Sequence, residues 1–136
     1  VTTCEPRAVC DFEAWFDVVA VDAPCSGEGM FRKDPASRAE WSEGGVRVCA
    51  ARQEEILREA WRALKPGGTL LYSTCTVLKR ENEDVVSAFL AAHGEFTTEP
   101  LPLPDVFPKN ETGMLTLIPG EYDTDGFFIC RLRRKA

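Results

Sequence analysis

The chain has no apolar run long enough to cross a membrane, since charged residues interrupt every stretch of about 20 residues. Its first residues contain no basic segment followed by an apolar one, so no secretory signal is expected there. A single histidine and the absence of any C-x-x-C pair argue against a zinc site of the usual spacing. We therefore expect a cytoplasmic protein without a metal and without a disulfide framework.

A basic excess is also missing, because the 136 residues carry a formal net charge of −6. Proteins that bind nucleic acid through its phosphates usually show such an excess, so the total charge argues weakly against an RNA partner. Local charge differs from the total, however, and Arg32-Lys33 is a small basic cluster. The dinucleotide-binding loop G-x-G-x-x-G is absent as well, since Gly27-Glu28-Gly29 lacks the third glycine.

Apolar periodicity predicts strands that alternate with helices. The predicted strands are 17–22, 69–73, 114–118 and 127–132, and the predicted helices are 46–64 and 81–93. Lys65-Pro66-Gly67-Gly68 is expected to end the first helix. The first two strands are continuous apolar runs, which is typical of buried parallel strands. The order strand, helix, strand, helix, hairpin is half of a doubly wound α/β fold.

One cysteine follows each of the two predicted parallel strands. Cys25 ends the motif Asp22-Ala23-Pro24-Cys25, and Cys75 lies in Ser73-Thr74-Cys75-Thr76. Because a helix separates the strands, they can lie side by side with their carboxyl ends at one edge of the sheet. Adjacent strands are about 5 Å apart. The two thiols are therefore expected to meet at the edge where such sheets bind ligands.

These motifs resemble those of one enzyme family. The stretch Asp22 to Pro35, Asp-Ala-Pro-Cys-Ser-Gly-Glu-Gly-Met-Phe-Arg-Lys-Asp-Pro, is similar to the proline–cysteine motif of RNA (cytosine-5) methyltransferases of the Sun/Nop type. Ser73-Thr74-Cys75-Thr76 with Glu81-Asn82-Glu83 resembles their threonine–cysteine motif, and Asp125-Gly126-Phe127-Phe128 resembles their final hairpin. The resemblance covers nearly the whole chain, and Gly-Glu-Gly-Met-Phe-Arg-Lys looks like the bacterial ribosomal RNA branch.

The resemblance implies that residues 1–136 are the C-terminal half of a Rossmann-like class I methyltransferase domain. Its sheet would be mixed, with two parallel strands and a terminal antiparallel hairpin, and residues 1–3 would be the tail of an earlier strand. The family binds S-adenosylmethionine mainly through a glycine-rich loop in the other half. The chain alone is therefore expected to bind this cofactor weakly or not at all, and to be inactive alone.

The resemblance also implies a reaction with two thiols. Cys75 is the expected nucleophile, adding to carbon 6 of cytosine so that carbon 5 can accept a methyl group. A thiolate suits this step because it is accessible near neutral pH and strongly nucleophilic. Cys25 would then assist loss of the carbon 5 proton and release of the product. Asp22 would hydrogen-bond the polar edge of the base.

Binding roles follow from the same resemblance. Asp22, Ala23 and Pro24 would form the part of the S-adenosylmethionine site that this chain contributes. Thr74, together with Arg32-Lys33, would contact the RNA, which is expected to be ribosomal RNA. A target base inside a stem would have to be flipped out.

Structural interpretations stand beside these roles. Asp22 could simply cap the turn that follows its strand, and Arg32-Lys33 could be a solvated loop pair. The three tryptophans, Trp15, Trp41 and Trp61, are better explained by packing than by base stacking. The rival to an enzyme is a non-catalytic half-domain that acts only as an RNA-binding or structural piece.

Overall fold

The computed structural model describes residues 5–108 and 110–136, which contain five strands and three α-helices. The strands are β1 (Phe16–Asp22), β2 (Leu64–Thr74), β3 (Phe96–Thr98), β4 (Met114–Leu117) and β5 (Phe127–Arg134), and the helices are α1 (Ser37–Glu40), α2 (Glu43–Ala60) and α3 (Glu83–Ala92). The strand tail expected at residues 1–3 lies outside the described residues. None of the described helices has the length and apolar character needed to span a membrane.

The strands form one mixed sheet in the order β1-β2-β5-β3, with β4 also paired to β5. β1 and β2 are parallel, whereas β5 runs antiparallel to β2, β3 and β4. Because β2 occupies one edge of β5, the other edge is shared in turn by β4, at residues 127–130, and β3, at residues 132–134. The predicted parallel pair and C-terminal hairpin are confirmed. β3 was not predicted, since three residues are too few to show a periodic pattern.

The Pro-Gly-Gly segment lies inside a strand, which corrects the prediction that it ends a helix. α2 ends at Ala60, a short 3-10 turn follows at Trp61–Ala63, and β2 begins at Leu64 rather than at residue 69. The pairing register jumps from Phe16 opposite Leu64 to Val18 opposite Thr69, so the extra residues of β2 form a bulge. Gly67 has a φ of +77° within it, a conformation that glycine adopts without strain.

β1 is much more exposed than a buried strand. Val18 is 56% exposed and the preceding Trp15 is 66% exposed, while Val21 is buried. The cause lies in the topology, because β1 is at the end of the sheet order and pairs only with β2 among the described residues. The apolar run was read correctly as a strand, but its predicted burial was wrong for most of its length.

The core lies between the sheet and the two longer helices. Alternate residues of β2 and β5 point into it, as the two-residue period of a strand requires. One cluster joins these residues to the buried faces of α2 and α3, and it includes Leu57, Leu70, Tyr72, Val86, Phe89, Phe128 and Leu132. This packing fixes β2 at the centre of the molecule, so the chain that leaves its carboxyl end starts from a rigid position.

Candidate active site

The two predicted thiols meet at the carboxyl edge of β1 and β2. The Sγ atoms of Cys25 and Cys75 are 3.2 Å apart. The strand register explains this contact, since Asp22 pairs with Ser73 and each cysteine follows within three residues. Both side chains are partly buried. The predicted meeting of Cys25 and Cys75 is thus confirmed.

Backbone hydrogen bonds continue the pairing beyond the strands. The amide of Ala23 donates to the carbonyl oxygen of Ser73 at 2.9 Å. The Ser73 hydroxyl donates to the carboxylate of Asp22 at 2.8 Å. Asp22 is exposed at the strand end. Ala23 is buried and Pro24 is exposed, which leaves Asp22 and Pro24 as the accessible members of the predicted cofactor-binding set.

Gly29 locks three segments together at this edge. Its amide donates to the carbonyl oxygen of Cys75 at 3.1 Å, and its own carbonyl accepts from the amide of Gly126 at 2.9 Å. A methyl group on Gly29 would stand 2.4 Å from the carbonyl oxygen of Gly126 and 2.5 Å from that of Cys75. Such contacts involve backbone atoms that cannot swing aside. The loop after Cys25 is therefore wedged between the Cys75 loop and the start of β5, and only glycine fits there.

A buried glutamate holds the loop that carries Cys25. Glu81 has no exposed surface, and its carboxylate accepts hydrogen bonds from the Ser26 amide at 2.9 Å, from the Ser26 hydroxyl, and from the Gln53 side chain at 2.9 Å. Gln53 also donates to the carbonyl oxygen of Pro24 at 2.9 Å. Glu81 and Gln53 thus fix the residues on both sides of Cys25.

An equivalent pair of bonds holds Cys75. The Thr74 hydroxyl donates to the side-chain oxygen of Asn82 at 2.6 Å, and the Asn82 amide group donates to the carbonyl oxygen of Thr76 at 3.0 Å. Thr74, Thr76 and Asn82 are fully buried. Glu28, in the loop after Cys25, accepts a hydrogen bond from the Thr76 hydroxyl and so joins the two cysteine loops.

Sequence reasoning missed these supporting roles, although it quoted some of the residues as parts of motifs. The one available signal was Gln53, a polar residue at an apolar-face position of α2. A buried polar side chain is normally hydrogen-bonded, so its position indicated a partner across the core. The identity of that partner, Glu81, depends on tertiary structure.

Burial controls the protonation of Cys25. Desolvation raises the pKa of this thiol well above its ordinary value, and the hydrogen bond with Cys75 raises it further. Cys25 therefore keeps its proton at neutral pH. In that form its S–H group can donate to the sulfur of Cys75. The site thus combines the protonated thiol of Cys25 with the neighbouring, partly exposed sulfur of Cys75.

The predicted RNA-contacting residues lie in different surroundings. Thr74 is buried and its hydroxyl is used by Asn82, so its side chain supports the Cys75 loop from inside. Arg32 is exposed and lies 3.5 Å from the Asp125 carboxylate, ahead of β5. Lys33 is exposed. Over residues 5–108 and 110–136, no group of three potential ligands could hold a metal ion.

Comparison with known families now identifies the family of this chain. A family model described as 16S rRNA methyltransferase RsmB/F matches residues 3–133. The chain belongs to this family. The matched range includes Cys25 and Cys75, so the paired thiols are part of an RsmB/F methyltransferase domain.

Curated relatives carry the corresponding name. The ribosomal RNA small subunit methyltransferase F of Serratia proteamaculans (strain 568) is 43% identical over 124 residues, which cover 88% of this chain and 26% of that protein. The protein of the same name from Salmonella paratyphi A (strain ATCC 9150 / SARB42) is 46% identical, with the same coverage. The chain spans about a quarter of the length of these relatives.

Solved structures agree on the fold. PH0851 superposes with a TM-score of 0.80 and 36% identity, covering 90% of this chain and 27% of that one. NSun6 from Pyrococcus horikoshii, determined with SFG, superposes with a TM-score of 0.79 and 25% identity, covering 99% of this chain and 34% of that one. These neighbours are Rossmann-like methyltransferases, and this RsmB/F chain shares their mixed α/β architecture.

Proposed function

We propose that this chain carries the two-cysteine centre of an enzyme that methylates carbon 5 of cytosine in ribosomal RNA, using S-adenosylmethionine. The observation that carries the proposal is the 3.2 Å contact between Cys25 and Cys75 at the ligand-binding edge of the sheet, in a member of the RsmB/F family. Carbon 5 of cytosine is a poor nucleophile, so its methylation calls for covalent activation by a thiol.

Cys75 is the proposed nucleophile. Its thiolate forms a bond to carbon 6 of cytosine, and the electron pair of the ring double bond moves away from carbon 6, which makes carbon 5 nucleophilic. Before attack, the protonated Cys25 can stabilise the anionic Cys75 sulfur by donating a hydrogen bond across the 3.2 Å contact. The exposed carboxylate of Asp22 lies at the same edge, where it can hydrogen-bond the polar side of the base.

Cys25 is the proposed partner in product release. After methylation, carbon 5 loses its proton, the electron pair re-forms the double bond to carbon 6, and the bond from carbon 6 to Cys75 breaks. Cys25 lies beside the sulfur that departs, so it can give its S–H proton to Cys75 as that bond breaks and take up the carbon 5 proton in its place, which assists both proton loss and elimination. Glu81 and Asn82 keep the two thiols in position during these steps. Glu81 holds the residues around Cys25, and Asn82 holds the residues on either side of Cys75.

The cofactor side fits the residues at the end of β1. S-adenosylmethionine would supply the methyl group when bound. Asp22 is exposed there, and Pro24 is exposed next to it, while buried Ala23 is held to Ser73. We propose that Asp22, Ala23 and Pro24 contribute one side of that site. The neighbour determined with SFG, an analogue of S-adenosylmethionine, supports the choice of cofactor.

RNA binding is the third part of the proposal. Arg32 and Lys33 are exposed in the loop after Cys25 and remain the proposed phosphate contacts, while Thr74 shapes the site from below. In the Arg32 case, phosphate would compete with the carboxylate of Asp125, 3.5 Å away. This competition is between an exposed cation and a half-buried carboxylate that are 3.5 Å apart, so its cost is small.

We also propose that residues 1–136 correspond to the C-terminal half of the catalytic domain. The chain spans about a quarter of its curated relatives, and β1 presents an exposed edge at the end of the sheet. On this proposal the chain alone binds S-adenosylmethionine weakly or not at all. Calorimetric titration of the chain tests it, and micromolar affinity would contradict it.

Methyl transfer in the full-length enzyme containing this chain tests the proposed reaction. With unmethylated small-subunit ribosomal RNA as substrate, nucleoside mass spectrometry should detect 5-methylcytosine. The Cys75→Ala variant should form none, whereas Cys49→Ala, a thiol on α2 outside the pair, should keep full activity. Methylation at another atom, or full activity of Cys75→Ala, would overturn the proposal.

A further inference from the structure

A hollow lies beside the turn that follows Cys75 and has no part in the chemistry described so far. It has a volume of about 400 Å³, within the usual size of small-ligand sites. One wall is the start of α2, and the other is the turn that follows Cys75. Its lining residues are Trp41, Glu43, Val46, Arg47, Leu78, Lys79 and Arg80. We call it the Trp41 hollow.

The charge of the Trp41 hollow is opposite to that of the whole chain. Three cations, Arg47, Lys79 and Arg80, face one carboxylate, Glu43, in a protein whose net charge is −6. Among the described residues, none of these cations lies within 4.0 Å of a carboxylate oxygen. All three are exposed. Arg47 and Arg80 also line a neighbouring hollow together with Glu54 and Asp84, but they form no ion pair with these described carboxylates, so the three cations remain available to an anion such as phosphate.

Hydrogen bonds tie both walls of the hollow to the Cys75 loop. The backbone N–H of Leu78 donates to the Thr76 hydroxyl oxygen at 3.2 Å, and the backbone N–H of Asn82 donates to the Lys79 carbonyl oxygen at 3.1 Å. On the other wall, the Trp41 indole N–H donates to the carboxylate of Glu28, which also accepts from Thr76. A ligand in the hollow would therefore be held at a fixed position relative to Cys75.

Trp41 and Trp61 lie in different surroundings. Trp41 is 38% exposed and lines the hollow, whereas Trp61 packs against the rings of His93 and Phe96. Beside Trp41, Val46 and Leu78 supply apolar surface. An aromatic face next to several cations is the combination by which proteins bind single-stranded nucleic acid, because the base stacks while the phosphate is neutralised.

We propose that the Trp41 hollow is an RNA subsite that binds a nucleotide flanking the target cytosine. The base would stack on Trp41, and the adjoining phosphate would contact Arg47, Lys79 and Arg80. This inference rests on the proposed function, since it takes RNA as the substrate. The Trp41 hollow would bind RNA in addition to the contacts proposed for Arg32 and Lys33. It lies next to the turn that follows Cys75.

The test is binding of a labelled eight-nucleotide single-stranded RNA to this chain, followed by fluorescence anisotropy over a range of salt concentrations. The double variant Arg47→Gln/Arg80→Gln should bind about tenfold more weakly. Its slope of log affinity against log salt should fall by about 0.7, because the hollow would hold one phosphate and each phosphate contact on single strands contributes about 0.7. The matched control is Arg58→Gln/Arg62→Gln, which removes the same charge from the far end of α2 and beyond it.

Stacking is tested separately at Trp41. Both Trp41→Ala and Trp41→Phe lose the hydrogen bond to Glu28, but only Trp41→Phe keeps an aromatic face. We expect Trp41→Ala to weaken RNA binding several-fold with an unchanged salt slope, and Trp41→Phe to retain most of the affinity. Equal weakening by both variants would overturn the stacking role, since it would trace the loss to the hydrogen bond.

Several outcomes separate this inference from the proposed function. Equal effects of the two double variants, or no RNA binding by the unmodified chain at low salt, would overturn the subsite. If the full-length enzyme makes 5-methylcytosine but Arg47→Gln/Arg80→Gln leaves RNA affinity and KM for RNA unchanged, the subsite is wrong and the proposed function stands. If binding depends on the hollow but no 5-methylcytosine forms, the subsite stands and the proposed reaction is wrong.

Discussion

The two ends of the β2 strand are held in different ways. At its carboxyl end, buried polar side chains bind the backbone around Cys25 and Cys75 through directed hydrogen bonds. At the other end, rings pack against one another, with Phe89 and Phe96 in an edge contact at a centroid distance of 5.0 Å. Hydrogen bonds depend strongly on angle and distance, whereas apolar contact is non-directional.

Each end of β2 is held in the way that its role requires. A site that keeps two sulfurs 3.2 Å apart needs partners that fix individual backbone groups, which Glu81 and Asn82 provide. The aromatic end needs only to bury area and to hold α3 on the sheet. We therefore expect changes at the aromatic end to lower stability without altering the thiol contact, and changes at the polar end to alter both.

The largest stability loss should come from the aromatic end. Phe89→Ala removes a ring that is 6% exposed and contacts His93 and Phe96, so it should lower the free energy of unfolding by about 4 kcal/mol. Phe12→Ala, at a residue that is 48% exposed, should cost far less. Urea unfolding measures both. Oxidation of the folded variant by diamide should still link Cys25 to Cys75 at the normal rate, and a slowed rate would contradict the separation of the two ends.

Removing the central carboxylate should come next. Glu81→Ala leaves the Ser26 amide, the Ser26 hydroxyl and Gln53 without their acceptor, and we expect a loss of about 3 kcal/mol in urea unfolding. Unlike Phe89→Ala, it should also slow diamide oxidation of the cysteine pair, because the Cys25 loop is released.

Two controls accompany Glu81→Ala. Glu81→Gln keeps one acceptor oxygen and should cost less. Glu121→Ala, at an exposed glutamate, should change stability by less than about 0.5 kcal/mol. An unchanged oxidation rate in Glu81→Ala would show that the polar bonds do not position the thiols.

A smaller loss is expected where the loops cross. Gly29→Ala places a methyl group 2.4 Å from the Gly126 carbonyl oxygen, and overpacking of this kind should cost about 2 kcal/mol in urea unfolding. Gly44→Ala is the matched control, since its methyl group would meet nothing closer than 3.8 Å and alanine favours the helix. Equal free energies of unfolding for the two variants would mean that the backbone around Gly29 has more room than its contacts with Gly126 and Cys75 indicate.

The smallest effect concerns pH at the core thiol of Cys130. Burial raises its pKa to about 12. In the unfolded chain this thiol ionises near its ordinary pKa. The protonated Cys130 thiol therefore contributes its full share to the free energy of unfolding below that pKa, and this contribution is lost as the pH rises toward 12. Between pH 8 and pH 10, Cys130→Ala should therefore lose about 1.5 kcal/mol less stability than the unmodified chain. If the free energy of unfolding changed equally with pH in the two proteins, the raised pKa of Cys130 would be contradicted.

The contrast between the ends also explains what the sequence could predict. Apolar runs at 17–22 and 69–73 indicated two parallel strands, and the cysteines just beyond them indicated a shared edge. These are local patterns, and the 3.2 Å contact confirms the geometry drawn from them. The structural role of Glu81 depends on residues that are distant in the chain, such as Ser26, 55 positions away. No single-sequence pattern encodes that pairing.

Two errors have physical causes of the same kind. The Pro-Gly-Gly segment reads locally as a helix stop, but pairing with β1 draws it into β2 as a bulge. The apolar residues of β1 read as buried, but the strand order puts β1 at the end of the sheet. In both cases a tertiary partner, or its absence, decided the outcome.

Trapping of a covalent protein–RNA complex tests whether the paired thiols act in sequence. The full-length enzyme containing this chain is incubated with RNA and S-adenosylmethionine, denatured, and run on a gel. Cys25→Ala should give a denaturant-resistant protein–RNA band, because addition and methylation proceed while release stalls. Cys75→Ala should give none, because no bond to carbon 6 forms. A persistent band from Cys75→Ala and none from Cys25→Ala would contradict the account by reversing the two roles.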